Sequence, residues 1–281
     1  MAEKRLEDIP QEIYNLFTSK DRIEIDEQLF RSFGENLSTI LRDRLGTEKQ
    51  ERKSIRMSSI GKPFRQQWMD IHSTGPVEEL RGEALIKFSY GHILEEFIIT
   101  LLKQAGYTVT DEQKEIFLDD VPGHIDCRIN GIVCDVKSCS SYSFNKFANG
   151  SLLEPGNDPF GYVGQLAGYA EALDSDGGAF IAVDKTLGKI AVLRLSRQQL
   201  RAYGIRSRLE QAKAVVNHDQ PPAEMCYPLV PEGKSGNMGL GIGCSYCKHK
   251  RACFPSVRTF LYSTGPKFLE IVKKEPNVPE L

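Results

Sequence analysis

GHIDCRINGIVCDVKS, residues 123–138, carries a turn dipeptide between two alternating apolar and polar runs. Asn130-Gly131 is the strongest short hairpin signal, because a type I′ turn needs positive φ at both central positions. With those two as the loop, Ile129 faces Ile132, Arg128 faces Val133 and Cys127 faces Cys134. Continued outward, the register sets Asp126 opposite Asp135, Ile125 opposite Val136 and His124 opposite Lys137. Side chains alternate between the two faces of a strand. Ile125, Cys127, Ile129, Ile132, Cys134 and Val136 therefore make one apolar face, and His124, Asp126, Asp135 and Lys137 share the other.

Directly opposed residues in an antiparallel pair have Cβ atoms about 4.5–5.5 Å apart. Two carboxylates at that spacing repel by about 3 kcal/mol at an effective dielectric of about 20. A divalent cation removes the repulsion, since Mg²⁺ is held by one or two carboxylates, water and substrate phosphate. Lys137, on the same face, is then placed to lean on a phosphate or to orient an attacking water. The plain alternative is a solvated polar face with a fortuitous acidic pair.

The flanking segments supply further candidates. Residues 83–105 show helical periodicity, with Ile93, Leu94, Phe97, Ile98, Leu101 and Leu102 on one stripe and Gly106 as the stop. Glu95 lies at the margin of that stripe, within reach of a sheet edge. A short strand is expected around 107–118. Asp158-Pro159 reads as N-cap and first position of a helix through FGYVGQLAGYAEAL. Gln165 and Tyr169, four apart, share a face of it. Gly161, Gly164, Ala167 and Gly168 around them leave room for backbone or nucleic acid to approach. AFIAVD and KIAVLRLS pattern as strands, and Ser196 caps a long polar helix to about residue 217.

The 281 residues are 40% hydrophobic and 26% charged, ordinary for a globular protein. Net charge is −2, so affinity for nucleic acid has to come from local basic patches. No apolar run reaches the roughly 20 residues needed to span a bilayer. The charged N-terminus lacks a secretory hydrophobic region, which points to the cytoplasm. IPQEIYNLF and EQLFRSFGENLSTILRDRL pattern as charged amphipathic helices. Arg52, Lys53, Arg56, Lys62 and Arg65, mixed with Phe64 and Trp68, suit single-stranded nucleic acid; a helix end beside a core Trp is the alternative. Three regions follow: a helical N-terminal region (1–82), a core (83–218) and a cysteine-rich segment (219–281).

In order and spacing these residues resemble the PD-(D/E)XK nuclease superfamily. Gly91 to Glu95 matches GxxxE, Asp126 follows, Asp135 and Lys137 form DxK, and Gln165 to Tyr169 forms QxxxY. The last motif is similar to that of the RecB-like branch, which includes AddB and the CRISPR-associated iron–sulfur exonucleases. Phage recombination exonucleases carry similar sets. The resemblance covers about residues 85–200 with specific motifs. It implies an α/β fold with a central mixed β-sheet flanked by helices, a restriction-endonuclease-like core. A helical N-terminal region and a cysteine-rich, metal-stapled C-terminal segment complete it.

The resemblance also implies Mg²⁺ or Mn²⁺ bound by Glu95, Asp126, Asp135 and the Val136 carbonyl, with His124 touching a second metal or the phosphate. Lys137 would assist the attacking water, and Gln165 with Tyr169 would position the strand. Where many RecB-like members have His four residues after the glycine, this chain has Glu95, and His92 follows Gly91 directly. The implied activity is a metal-dependent DNA exonuclease acting on single-stranded or resected ends in recombination, repair or phage DNA processing. DNA is the expected partner, with a recombination protein as a further one, in a bacterial or phage-infected cell. An endonuclease of the same superfamily, a non-catalytic DNA-binding scaffold and a purely structural metal module are the alternatives.

None of the seven cysteines precedes residue 127. Clustered thiols in a reducing cytosol point to metal rather than disulfides. Cys244-x2-Cys247-x5-Cys253 resembles the C-terminal triad of the iron–sulfur members, whose fourth ligand lies far upstream. Here Cys226 is the nearest spare thiol and is assigned as the fourth ligand of a 4Fe–4S cluster. Structural Zn²⁺ is the alternative, with His249 able to replace one thiolate. EGKSGN, residues 232–237, has Pro228 where a phosphate loop requires glycine, and no apolar strand pattern is expected just before it.

Overall fold

In the computed structural model, which describes residues 4–46, 54–72, 77–78 and 82–281, the turn forms where the sequence requires it. Asn130 and Gly131 have φ of 49° and 82°. Arg52 and Lys53 of the basic stretch lie outside the described residues. In chain order come α1 (Ile9–Thr18), α2 (Glu27–Gly46), α3 (Phe64–His72) and α4 (Gly82–Gln104). Five strands follow: β1 (Val109–Thr110), β2 (Glu115–Leu118), β3 (Val121–His124), β4 (Cys127–Ile129) and β5 (Ile132–Cys139). Then come α5 (Ser141–Ala148), α6 (Tyr162–Ala172), β6 (Gly177–Asp184), β7 (Ile190–Ser196), α7 (Arg197–Ala202) and α8 (Ile205–Val216). The chain closes with β8 (Leu229–Glu232), β9 (Asn237–Leu240), α9 (Ile242–Ser245), α10 (Lys250–Cys253), β10 (Arg258–Tyr262) and β11 (Gly265–Ile271).

The chain divides into two compact units. The first comprises residues 1–51, 56–61 and 82–208, the second 52–55, 62–81 and 209–281. The segment 1–82 is split because its parts find different partners. Gly61 packs on Gly161 and Gly164 beside α6 in the first unit. In the second, Trp68 of α3 is buried and donates its indole N–H to the His218 carbonyl at 2.7 Å. Trp68 is thus a core residue, stacked on His72 with ring centroids 4.3 Å apart.

The first unit is built on a five-stranded sheet of order β1-β4-β5-β6-β7. Only the β5–β6 pairing is parallel, and α5 and α6 lie in the crossover that a parallel pair demands. The sheet is therefore mixed and flanked by helices, as expected. Cys127, Ile129, Cys134 and Val136 join Ala179, Ile181 and Val183 on one face, buried against Ile9 and Ile13 of α1 and Ile98 and Leu102 of α4. The opposite face lies under α5 and α6, where Phe147 meets Phe180 edge-on at 5.4 Å.

Several local expectations change. The β4–β5 ladder holds the expected register only from Ile129–Ile132 to Cys127–Cys134. Beyond it the chain bends at Ile125–Asp126, and β3 pairs with β2 instead, setting His124 opposite Glu115. His124 therefore does not face Lys137. In α4 every residue of Ile98–Leu102 is buried, while Phe97 stays exposed, because the C-terminal end is enclosed on all sides. The helix expected after Ser196 is capped as foreseen, with a full capping box to Gln199, but breaks at Gly204 (φ 68°) into α7 and α8. Asp158 is not the residue adjoining α6. Gly161 takes that place in a left-handed conformation, and the Asp158 carboxylate reaches forward to accept from the Tyr162 and Val163 amides.

The cysteine-rich C-terminal segment, for which the sequence predicts no strands, contains a four-stranded antiparallel sheet of order β10-β11-β9-β8. Its short strands and Pro231 on the edge strand β8 hide the alternation that would announce it. Leu240, Cys244, Phe254 and Val257 form its core. No helix among the described residues is long and apolar enough to cross a membrane.

Candidate active site

A sheet face covered by helices is ordinarily apolar. Here the face under α5 and α6 carries Asp135 and Lys137, successive same-side residues of β5. Asp135 is wholly buried, and Lys137 Nζ lies 2.5 Å from its Oδ2. Apart from that ammonium, neither Asp135 oxygen meets a hydrogen-bond donor among the described residues. Stripping a carboxylate of water costs several kcal/mol unless hydrogen bonds and counter-charge replace it.

Lys137 continues into α6. Its Nζ donates to Gln165 Oε1 at 3.4 Å, and Gln165 Nε2 donates to the Tyr169 hydroxyl at 2.9 Å. The Tyr162 ring lies under the ammonium, 4.7 Å from Nζ to its centroid. Tyr162 was not foreseen, although 162, 165 and 169 fall on one helical stripe. The small residues of α6 admit backbone rather than nucleic acid: a Cβ on Gly164 would lie 2.6 Å from Gly61 Cα, and Gly168 abuts Met57.

Asp126 and Glu95 arrive from other elements. Asp126 stands at the bend before β4, where its Oδ2 accepts from the Val136 amide at 2.7 Å. The ladder therefore does not oppose Asp126 and Asp135 as expected; a side-chain-to-backbone bond brings Asp126 to β5 instead. Glu95, largely buried on α4, accepts from Gln113 Nε2 through Oε1, and His92 Nδ1 lies 4.0 Å from its Oε2. Each carboxylate thus has its own protein partner: Gln113 for Glu95, the Val136 amide for Asp126, Lys137 for Asp135. Among the described residues no three His, Cys, Asp or Glu side chains are already closed around one point.

The electrostatics follow from this crowding. Burial, then the Asp135 charge, raises Glu95 to about 7. Asp126 is raised well above the carboxylate range by burial, then by Asp135 and Glu95. Burial also raises Asp135, opposed by Lys137. Burial alone would lower Lys137, but Asp135 and Asp126 outweigh it and hold the ammonium above its usual range. Four groups therefore share a compartment with one cation and three acids, a deficit that a divalent cation fits.

His124 is not brought into this group; it is exposed on β3, with Nε2 3.9 Å from Glu115 Oε1. Val136 lies between Asp135 and Lys137 with its side chain in the core. In the segment 138–158, Phe144 and Phe147 are buried, leaving Tyr142 as the exposed ring beside Lys146.

In the second unit, Cys226, Cys244, Cys247 and Cys253 line one cavity of about 20 Å³ with Met69 and Lys250. Burial, then the neighbouring thiols, pushes Cys226 up to about 11 and Cys244 to about 12. His249 Nε2 lies 3.1 Å from Asp70 Oδ1, and its buried Nδ1 meets no hydrogen-bond partner among the described residues. The four thiols line this cavity without closing around one point, and as soft donors they suit a thiolate-bound metal.

No family model matches the sequence, and no curated protein matches it. Among solved structures the chain is similar to SSO0001, at 16% identity and TM-score 0.43, covering 78% of this chain and 95% of that one. A phage-related exonuclease from Haemophilus somnus 129PT gives 17% identity and TM-score 0.42, covering 57% and 92%. An alkaline exonuclease, LHK-Exo, from Laribacter hongkongensis gives 14% identity and TM-score 0.40, covering 56% and 89%. At these scores the likeness carries no weight for the reaction, and the chemistry rests on the residues described above.

Proposed function

We propose that the first unit is a metal-dependent deoxyribonuclease, an exonuclease acting on single-stranded or resected DNA ends. The observation that carries this reading is Asp135: fully buried, with Lys137 as the one group among the described residues that meets its oxygens. Glu95, Asp126 and Asp135, with the Val136 carbonyl, are the residues to hold Mg²⁺ or Mn²⁺. A bound divalent cation supplies Lewis-acid polarisation of a phosphodiester and a water acidified toward neutrality. Lys137 then turns from Asp135 toward the phosphate, its charge countering the negative charge that develops there. Gln165 and Tyr169 keep the ammonium aimed, and the Tyr162 ring limits its travel. The motif order in the sequence supports a nuclease with DNA as substrate; the exonucleolytic mode, a recombination partner and a cytoplasmic site of action belong to the same reading.

The test is digestion of end-labelled single- and double-stranded DNA with and without divalent cation. Cation-dependent loss of product from the ends, abolished by Lys137→Ala and Asp126→Ala, is expected. Metal-replete protein that leaves every DNA and RNA substrate intact overturns the proposal, and binding without cleavage assigns a scaffold role instead.

For the second unit we propose that Cys226, Cys244, Cys247 and Cys253 bind a metal. The likeness of Cys244-x2-Cys247-x5-Cys253 to the iron–sulfur triad supports a 4Fe–4S cluster; structural Zn²⁺ held by four thiolates is the second reading. Brown protein whose visible absorbance bleaches with dithionite supports the cluster, and colourless zinc-containing protein supports the ion.

A further inference from the structure

We propose that Gln113 is a positioning residue that holds the Glu95 carboxylate, and ties it to the main chain at Asp126, in place to receive a cation. The inference rests on the nuclease reading of the site. Gln113 lies in the loop between β1 and β2 and makes two contacts at once. Its side-chain amide donates to Glu95 Oε1 on α4. Its backbone N–H donates to the main-chain carbonyl of Asp126 at 3.1 Å. One residue therefore ties the helix that carries the first acid to the bend that carries the second.

The loop holds Gln113 there against its own preference. Gln113 has φ of 50° and Asp111 has φ of 55°, a left-handed conformation that a residue with a Cβ adopts only where its surroundings over-determine it. Those surroundings are present. The Lys114 amide donates to the Asp111 carbonyl at 3.3 Å, and the Ile125 amide donates to the Lys114 carbonyl at 3.1 Å. The Asp111 carboxylate takes Lys114 Nζ at 2.9 Å and faces Arg128 at 3.9 Å. Strain of this kind persists at functional sites because it fixes a geometry.

The chemistry of the side chain suits the task. A neutral amide donor orients a carboxylate without placing a positive charge where a cation must come. It occupies Oε1 and leaves Oε2 as the oxygen presented to the ion. Asn accepts the left-handed backbone equally well but is one methylene too short to reach Glu95. Gly relieves the backbone and removes the donor. These two substitutions separate orientation from fold.

The experiment is Mn²⁺ titration of DNA-free protein, read by electron paramagnetic resonance of the free ion, with thermal unfolding of the same metal-free samples. Wild type, Gln113→Asn and Gln113→Gly are compared, and kcat and KM for DNA are measured in parallel. Both variants are expected to raise the Kd for Mn²⁺ about ten- to hundredfold, the range for loss of a group that orients a metal ligand. KM for DNA and the unfolding midpoint of Gln113→Asn stay unchanged, and the midpoint of Gln113→Gly does not fall. Wild-type Mn²⁺ affinity in both variants overturns the role of Gln113 while leaving the nuclease reading intact. Affinity lost only in step with a lowered midpoint also overturns it, leaving a structural role. A wild type that neither binds Mn²⁺ nor cuts DNA overturns both.

Discussion

Lys137 Nζ lies 2.5 Å from Asp135 Oδ2, two residues along β5 from it and on the same side of the sheet. The pair stands where a covered sheet would hold two aliphatic side chains, and the lysine is the carboxylate's only counter-charge within contact among the described residues. Removing one partner of a buried pair leaves an uncompensated charge, at a cost of about 3–5 kcal/mol, whereas removing both is close to neutral.

Lys137→Met is therefore expected to lower metal-free stability by about 3–5 kcal/mol and to abolish cleavage. Adding Asp135→Asn restores most of the stability and none of the activity. Urea unfolding of the two single variants and the double variant checks the pairing; a double variant as weak as the sum of its parts shows that the two do not couple.

The raised acids make stability depend on pH in a defined direction. A carboxyl whose folded pKa exceeds its unfolded value favours the folded state at low pH, and that contribution disappears as pH rises through the folded pKa. Glu95 moves from 4.5 to about 7, so metal-free protein weakens between those limits, by at most about 3 kcal/mol from this group. The groups facing it are Asp135, Asp126, Lys137, Glu96, Gln113 and His92. His92, pulled down by burial and Arg44, works in the opposite sense at the acid end. Glu95→Gln is expected to flatten the window, and stabilisation by Mn²⁺ is expected to grow across it. Urea midpoints of wild type and variant from pH 4.5 to 8 are the measurement.

The approach of residues 57–61 to α6 leaves no room for a methyl group. A Cβ on Gly164 would lie 2.6 Å from both Gly61 Cα and the Tyr203 hydroxyl, and one on Gly61 would meet the Gly161 carbonyl oxygen. Gly164→Ala is expected to cost about 1–3 kcal/mol and to lower cleavage by tilting Gln165 and Tyr169. Gly150→Ala meets nothing within 4 Å, though its φ of 76° adds backbone strain without touching the site. Equal activity of the two variants per folded molecule rules out the coupling.

Burial, helped by neighbouring thiols, raises Cys226, Cys244 and Cys247, so metal uptake must release protons from them. Cys226→Ser is expected to lower bound metal as strongly as Cys244→Ser does, and to lower the unfolding midpoint of the second unit. Elemental analysis of matched preparations decides it; full metal occupancy in Cys226→Ser removes this residue from the ligand set.

Much of this site was legible before any coordinates. Asp135 and Lys137 share a face because strand periodicity allows nothing else, and Gln165 and Tyr169 share one because four residues span a helical turn. Glu95 was placed by its position on a stripe. The sheet of the second unit was missed because its strands are short and one edge carries Pro231. The expected His124–Lys137 neighbourhood failed because the chain leaves the β4–β5 ladder at Asp126, and a hairpin register read from its turn has no term for where pairing stops.

By itself the sequence determined the Asn130-Gly131 turn, the buried face of β4 and β5 and the helical stripe of α6, since each depends on neighbours a few residues apart. Only the tertiary structure decided which groups meet the three acids. Gln113 reaches Glu95, the Val136 amide reaches Asp126, and Gly61 sets the seat of α6 through contacts between distant segments. Local periodicity says which way a side chain points, but packing alone chooses what stands opposite it.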